Sequence, residues 1–138
     1  MSDDDADLVT AAMTLHRETS VLYAEVARQF GLTSQQTQLL CLLGREEPSF
    51  GEVAARLGCD KTNVTGMVDR MGQRGLLERA ADPHDRRITR IRPTPAGEDL
   101  RVRIRERLDE AITARLAALT PGERARLAPL GRMLGPGR

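Results

Sequence analysis

Apolar residues recur at helical spacing over most of this chain. Leu8, Ala12, Leu15, Thr19, Leu22 and Val26 follow at intervals of four, three, four, three and four, a heptad-like stripe on one helix face. Asp3–Asp5 precede the stripe, where carboxylates favour a helix N-terminus, and Gly31 closes it. A second helix is predicted from the cap-like Thr33–Ser34 through Leu39, Leu40, Leu42 and Leu43 to Gly44. Arg45 to Pro48 read as a loop. After a compact segment the period changes. Ile88-Thr89-Arg90-Ile91-Arg92 alternates apolar and polar, and with Leu76–Ala80 and the turn residues 81–85 it predicts a β-hairpin. Pro93 is expected to end or shorten the return strand, because it cannot donate to a ladder. Thr94-Pro95 opens a long helix whose stripe is Leu100, Ile104, Leu108, Ile112 and Leu116. Asp99 with Arg103, and Arg105 with Asp109, are predicted as i, i+4 pairs on its solvated side. Thr120 and Glu123 have capping-box spacing and start a last short helix bearing Leu127, Leu130, Met133 and Leu134, followed by a frayed Gly135-Pro136-Gly137 tail. The pattern is mainly α: six helices and one hairpin, with long helices at both ends of the chain.

The segment between those helices meets the requirements of a helix-turn-helix. Val53 and Leu57 lie one turn apart and face inward, and Ala54 is small where two helices cross. Gly58 suits the left-handed residue of a sharp turn, Cys59 fills that turn, and Asp60 caps the next helix with Asn63 three residues on. Val64, Met67, Val68 and Met71 then form the inward face. Geometry assigns Lys61, Thr62, Asn63, Thr65, Gly66, Asp69 and Arg70 to the other face. Lys61, Thr62 and Thr65 lie in the first turns, where backbone N–H groups also point outward and suit a phosphate or base edge. Gly66 is costly in a helix by roughly 1 kcal/mol against alanine, which close approach of a DNA backbone would explain. The hairpin that follows is a wing. Arg86 and Arg87 stand in its turn, and Arg90 and Arg92 share the polar face of the return strand. Such arginines suit the focused negative potential of a minor groove. Asp85 is placed to orient Arg87 by a charge-assisted hydrogen bond.

Composition narrows the partners. The 138 residues suit one domain, with 40% hydrophobic and 30% charged residues, as in a soluble globular protein. Tyr23, Phe30 and Phe50 are the only aromatic residues, too few for a single-strand stacking platform. The net charge of +1 taken alone argues against a polyanion partner. Divided along the chain, it reverses that argument. Residues 1–60 carry 4 basic and 10 acidic side chains, residues 61–93 carry 8 and 4, and residues 94–138 carry 9 and 6. The positive excess lies on the helix and wing, and the acidic first half favours a modest, salt-sensitive affinity. Cys41 and Cys59 fall on apolar helix positions and read as core thiols, with no CxxC and no secreted disulfide framework. An acidic start without an apolar segment, and no run near the roughly 20 residues that span a bilayer, predict a cytoplasmic protein without membrane contact. No Ser-His-Asp set, phosphate-cradling glycine loop or metal-ligand spacing is present, so neither an enzyme nor a metal or cofactor site is expected.

Ser49–Gly75 followed by Leu76-Leu77-Glu78-Arg79, then Asp82-Pro83-His84-Asp85-Arg86-Arg87 and Thr94-Pro95-Ala96-Gly97, resembles the MarR family of winged helix-turn-helix regulators. The most specific pieces are Asp85–Arg87, Arg74–Leu77 and Thr94–Gly97, and the resemblance runs from about Leu8 to Leu134. It implies one domain over 1–138: dimerisation helices in 1–32 and 94–138 around a DNA-binding lobe in 33–93, with the helix-turn-helix at about 50–74 and the wing at about 76–92. It implies a homodimeric repressor of a pseudo-palindromic double-stranded site, with Arg87 as the minor-groove arginine. It also implies release by a small anionic aromatic or lipophilic effector, for which His16, Arg17, Tyr23 and Phe30 are the candidate contacts. Pro93 departs from the family's usual aliphatic strand residue, and a first helix without cysteine departs from its peroxide-sensing branch. The heptad stripe agrees with dimerisation independently, since long flanking helices would expose too much apolar surface on a monomer. Two other readings compete: a winged helix that binds protein, which needs no basic face, and a thiol redox-sensing module.

Overall fold

The computed structural model describes residues 3–44 and 46–135, with side chains from residue 7 onward. The side chains of Asp3–Asp5 and the tail residues Pro136 and Gly137 lie outside what is described. The order of elements is α1 (Asp3–Gln29), α2 (Ser34–Leu42), α3 (Phe50–Leu57), α4 (Lys61–Gln73), β1 (Leu77–Ala81), β2 (Thr89–Pro93), α5 (Pro95–Arg115), α6 (Pro121–Ala125) and α7 (Leu127–Leu134). Each interior helix starts where a short polar side chain covers an orphan amide. Thr33 and Thr120 form capping boxes with Gln36 and Glu123. Ser49 accepts from the Glu52 amide, Asp60 from that of Asn63, and Thr94 from that of Gly97.

All six expected helices are present, and the last is broken at Arg126 into α6 and α7. Pro129 accounts for the break. It has no N–H for the Ala125 carbonyl, and its ring crowds that carbonyl. The return strand is not shortened by Pro93. Both strands have five residues, and Pro93 stands opposite Leu77 at the last position of the ladder. Register explains its tolerance. The flanking Thr94 amide donates to Leu76 O and the Ile91 amide points away to Pro48 O, so at Pro93 an N–H would also point away from β1.

One core joins the elements: Val26 of α1, Leu39 and Leu40 of α2, Val53 of α3, Val64 and Met71 of α4, Ile91 of β2 and Ile104 of α5. The α1 stripe enters this core only at its C-terminal end. Val26 is buried and Leu22 partly so, whereas Leu8 is 69% and Leu15 44% exposed. Val9, Met13 and Val21 of α1, and Leu130 and Leu134 of α7, are also exposed.

The helix-turn-helix with its hairpin and the long α5 helix meet at Thr94–Gly97. Thr94 Oγ1 donates to Gly75 O and accepts from the Gly97 amide at 3.1 Å, while the Thr94 amide donates to Leu76 O at 3.1 Å. Gly97 is buried, and an added Cβ would lie 1.9 Å from Leu76 O, a backbone atom with no freedom to yield. Gly97→Ala is expected to destabilise the protein by about 3 kcal/mol through overpacking. A chemical denaturation midpoint equal to that of the parent would refute this steric account.

Candidate nucleic-acid interface

Helix α4 is presented by the tight turn that precedes it. Gly58 has φ 67°, a conformation that needs glycine, and the Cys59 amide closes the turn on Ala54 O at 3.1 Å. Val64, Met67, Val68 and Met71 are buried beneath α4. That burial leaves Lys61, Thr62, Asn63, Thr65 and Arg70 exposed along its outer face, as their spacing predicts. Thr65 Oγ1 donates back to Lys61 O at 2.9 Å, which leaves the hydroxyl's acceptor side outward. The atoms nearest to where a Cβ would stand at Gly66 belong to the Arg70 guanidinium, the closest at 3.2 Å. That neighbour is the end of a flexible side chain, so it does not by itself demand glycine there.

The wing turn is organised by two aspartates. Asp82 Oδ1 accepts the amides of His84 and Asp85, both at 2.8 Å. Asp85 accepts the Arg87 amide and grips its guanidinium through both oxygens, at 3.0 and 3.1 Å. The Arg87 side chain is 91% exposed, so it is aimed by one neighbour and otherwise open to solvent. Arg86 is exposed beside it. The Arg87 side chain, then its amide, hold the Asp85 carboxyl below the ordinary range. The His84 amide, then Arg90, do the same for Asp82.

Arg90 and Arg92 occupy the shared face expected of them, but both are already paired. Arg92 meets Glu78 directly across the ladder at 2.8 Å. Arg90 is gripped by Asp82 at 2.7 Å and by Glu52 of α3 at 3.0 Å. Arg79 of β1 pairs with Asp69 of α4 at 2.6 Å and lies over the Phe50 ring. The Arg90–Glu52 and Arg79–Asp69 pairs join the hairpin to α3 and α4, and the sequence pattern does not reveal them.

Lys61 and Arg87 come together. They border one groove of about 350 Å³ with Ser49, Gly51 and Thr89, between the starts of α3 and α4 and the wing. The Lys61 stem lies over Gly51, 3.1 Å from where a Cβ would stand. A cation from α4 and a cation from the wing thus flank the same opening.

A second concavity lies on the other side of the lobe. A cleft of about 530 Å³ is lined by Cys41, Gly44, Glu46, Arg56, Arg101 and Arg105. A smaller cavity of about 180 Å³ sharing Cys41 and Arg105 brings in Tyr23. Burial raises the pKa of both the Tyr23 phenol and the Cys41 thiol, against the lowering effect of Arg105. Of the four candidate effector contacts only Tyr23 lines this space. His16 and Arg17 lie on the exposed part of α1, and Phe30 packs on the core beneath Arg103, 5.4 Å from its ring. The spacing of α5 also misplaces its ion pairs. Among the described residues, the pairs are Glu98 with Arg101 and Arg107 with Glu110, not the expected i, i+4 pairs. Arg103 is drawn to Phe30 and Arg105 to the cleft. Arg56, Arg101 and Arg105 were therefore not legible as one group.

Comparison with known proteins places this architecture. The sequence profile described as the MarR family matches residues 30–88. The homoprotocatechuate degradative operon repressor of Escherichia coli is 31% identical over 108 residues, covering 76% of this chain and 72% of that protein. The uncharacterized HTH-type transcriptional regulator YsmB of Bacillus subtilis is 33% identical over 94 residues, 66% of this chain and 58% of its own length. The crystal structure of the transcriptional regulator BldR from Sulfolobus solfataricus superposes with a TM-score of 0.80 at 23% identity, over 97% of this chain and 98% of that one. BpsR of Bordetella bronchiseptica, whose DNA binding is regulated by 6-hydroxynicotinic acid, superposes with a TM-score of 0.68 at 25% identity, over 89% and 91%.

The wing's pH response follows from its two lowered carboxyls. Their stabilisation is complete above the ordinary aspartate range, about pH 4, and is lost as pH falls through their lower folded-state values. An NMR titration should give carboxyl midpoints for Asp82 and Asp85 below about 3.9. Midpoints at or above that value would remove the aspartates as organisers of the turn.

Proposed function

The chain belongs to the MarR family, and from that premise we propose that it is a homodimeric repressor that binds a pseudo-palindromic double-stranded DNA site and is released by a small anionic effector. The observation that carries the DNA reading is the meeting of Lys61 and Arg87 on one groove, beside the exposed polar face of α4. In this reading Thr62, Asn63, Thr65 and Arg70 face base edges and sugar–phosphate in a major groove, while Arg86 and Arg87 enter the adjacent minor groove. Arg90 contributes from behind, through its carboxylates. No helix among the described residues is long and apolar enough to cross a membrane. In this reading the protein acts in the cytoplasm, on the DNA it binds.

The second copy is supported by the unburied part of α1. Leu8, Val9, Met13, Leu15 and Val21, with Leu130 and Leu134 of α7, are exposed large apolar side chains that a second copy would cover. A dimer sets the two copies of α4 about one DNA turn apart.

The effector reading rests on the cationic cleft and on the regulated DNA binding of BpsR. Arg101 is tied to Glu98 and Arg56 to Glu46, whereas Arg105 makes no ion pair among the described residues. An aromatic carboxylate would place its charge at Arg105 and its ring toward Tyr23 and Cys41. The thiol redox reading is less favoured, because burial holds Cys41 as the protonated, unreactive thiol.

Two measurements test this. Arg87→Ala should weaken binding to the selected duplex about tenfold and reduce the slope of log K against log salt by about one. Equal affinity over a salt series would reject the wing contact. Aromatic carboxylates that release the duplex should lose that effect in Arg105→Ala, with duplex affinity retained. Unchanged release would reject the cleft.

A further inference from the structure

Arg90 stands where a wing arginine is expected to touch DNA, yet its side chain is only 24% exposed and two carboxylates hold it. Nε donates to Asp82 Oδ2 at 2.8 Å, and Nη2 stands 2.7 Å from the same oxygen as an ion pair. Nη1 donates to Glu52 Oε1 at 3.0 Å. Asp82 is itself only 9% exposed, and its other oxygen holds the amides that shape the wing turn. Glu52 is in the first turn of α3, on the lip of the groove shared with Lys61. The backbone reinforces the same junction. Ser49 forms an isolated bridge with Arg90, and the Ile91 amide donates to Pro48 O at 2.9 Å.

We propose that Glu52, Arg90 and Asp82 are a positioning strut that sets the wing against the helix-turn-helix, so that Arg87 stands across the groove from Lys61. The inference rests on the DNA-binding reading and adds three positioning residues to it. A hairpin of two strands is marginal alone and depends on the body that carries it. The buried Ile91 anchors its base, and the forked guanidinium adds an angular constraint, because one plane must satisfy a carboxylate on the wing and another on α3 at once. The chain of contacts then runs from Glu52 through Arg90 to Asp82, from Asp82 to the Asp85 amide, and from the Asp85 carboxylate to Arg87. A residue acting in this way changes where another cation stands and adds no phosphate contact of its own.

Double-mutant titrations on the selected duplex separate positioning from contact. Arg90→Ala is expected to weaken binding about tenfold, with the salt slope of the parent retained, since no phosphate contact is removed. In an Arg87→Ala background the same change should weaken binding less than about twofold, because the residue it positions is gone. Glu52→Ala leaves the Asp82 pair intact and should give a smaller loss of the same kind, with the melting temperature and dimer state of the parent. A salt slope lowered by about one, or an undiminished loss in the Arg87→Ala background, would overturn the strut in favour of direct contact. Parent affinity in both Arg90→Ala and Glu52→Ala would overturn it outright. A parent chain that binds no duplex at low salt would overturn the DNA-binding reading and the strut together.

Discussion

The start of α5 touches the backbone of the corner between α4 and β1, and the placement of the proposed interface depends on that contact. At Gly97 the separation is too small for any side chain, and Thr94 makes three hydrogen bonds around it. The corner also ends α4 and begins the wing. Helix α5 is thus joined directly to the end of α4 and the start of the hairpin, rather than through a loop. Arg74, at the end of α4, adds a side-chain tie to Gly31 O at 2.9 Å, just beyond α1. The two long helices and α4 are linked at this corner by short contacts to backbone carbonyls.

Around this frame the arginines divide into two groups by their surroundings. Arg79 and Arg90 are held by carboxylates of α4 and α3 and tie the hairpin to the helices, while Arg92 and Arg101 are held within the hairpin and within α5. Arg87 is held on one side only and projects from the wing. Exposed ion pairs contribute little each, with a typical range of about 0–1 kcal/mol. Their role here is angular: they choose one orientation among several of similar stability. The segmental charge separation follows the same division, since the acidic first half supplies Glu46 and Glu52 to basic residues of the lobe.

Much of the fold was legible because local chemistry and global packing agree. The caps at Thr33, Asp60, Thr94 and Thr120, the turn at Gly58 and the inward face of α4 follow from residue type and spacing alone. What spacing cannot supply is pairing across the fold. Arg90 meets Glu52 from 38 positions away, and Arg115 meets Glu18 from 97. The i, i+4 rule failed for Arg103 and Arg105 because a ring and a cleft outside α5 compete for them. His16, Arg17 and Tyr23 stand out on α1 as polar residues near its stripe. The cationic cleft is assembled from α2, α3 and α5, whose arginines resemble ordinary surface residues until they are brought together.

Pro93 has a consequence for the wing as a sheet edge. The outward amides of β2 fall at alternate positions, 89, 91 and 93. That of Ile91 is taken by Pro48 O and Pro93 has none. Only the start of the strand therefore offers a donor to a foreign strand. A two-stranded hairpin rich in exposed backbone is an invitation to edge-to-edge aggregation. Here the same proline that departs from the usual strand residue, with the Ile91 amide already taken, denies a foreign strand most of the donors along the β2 edge.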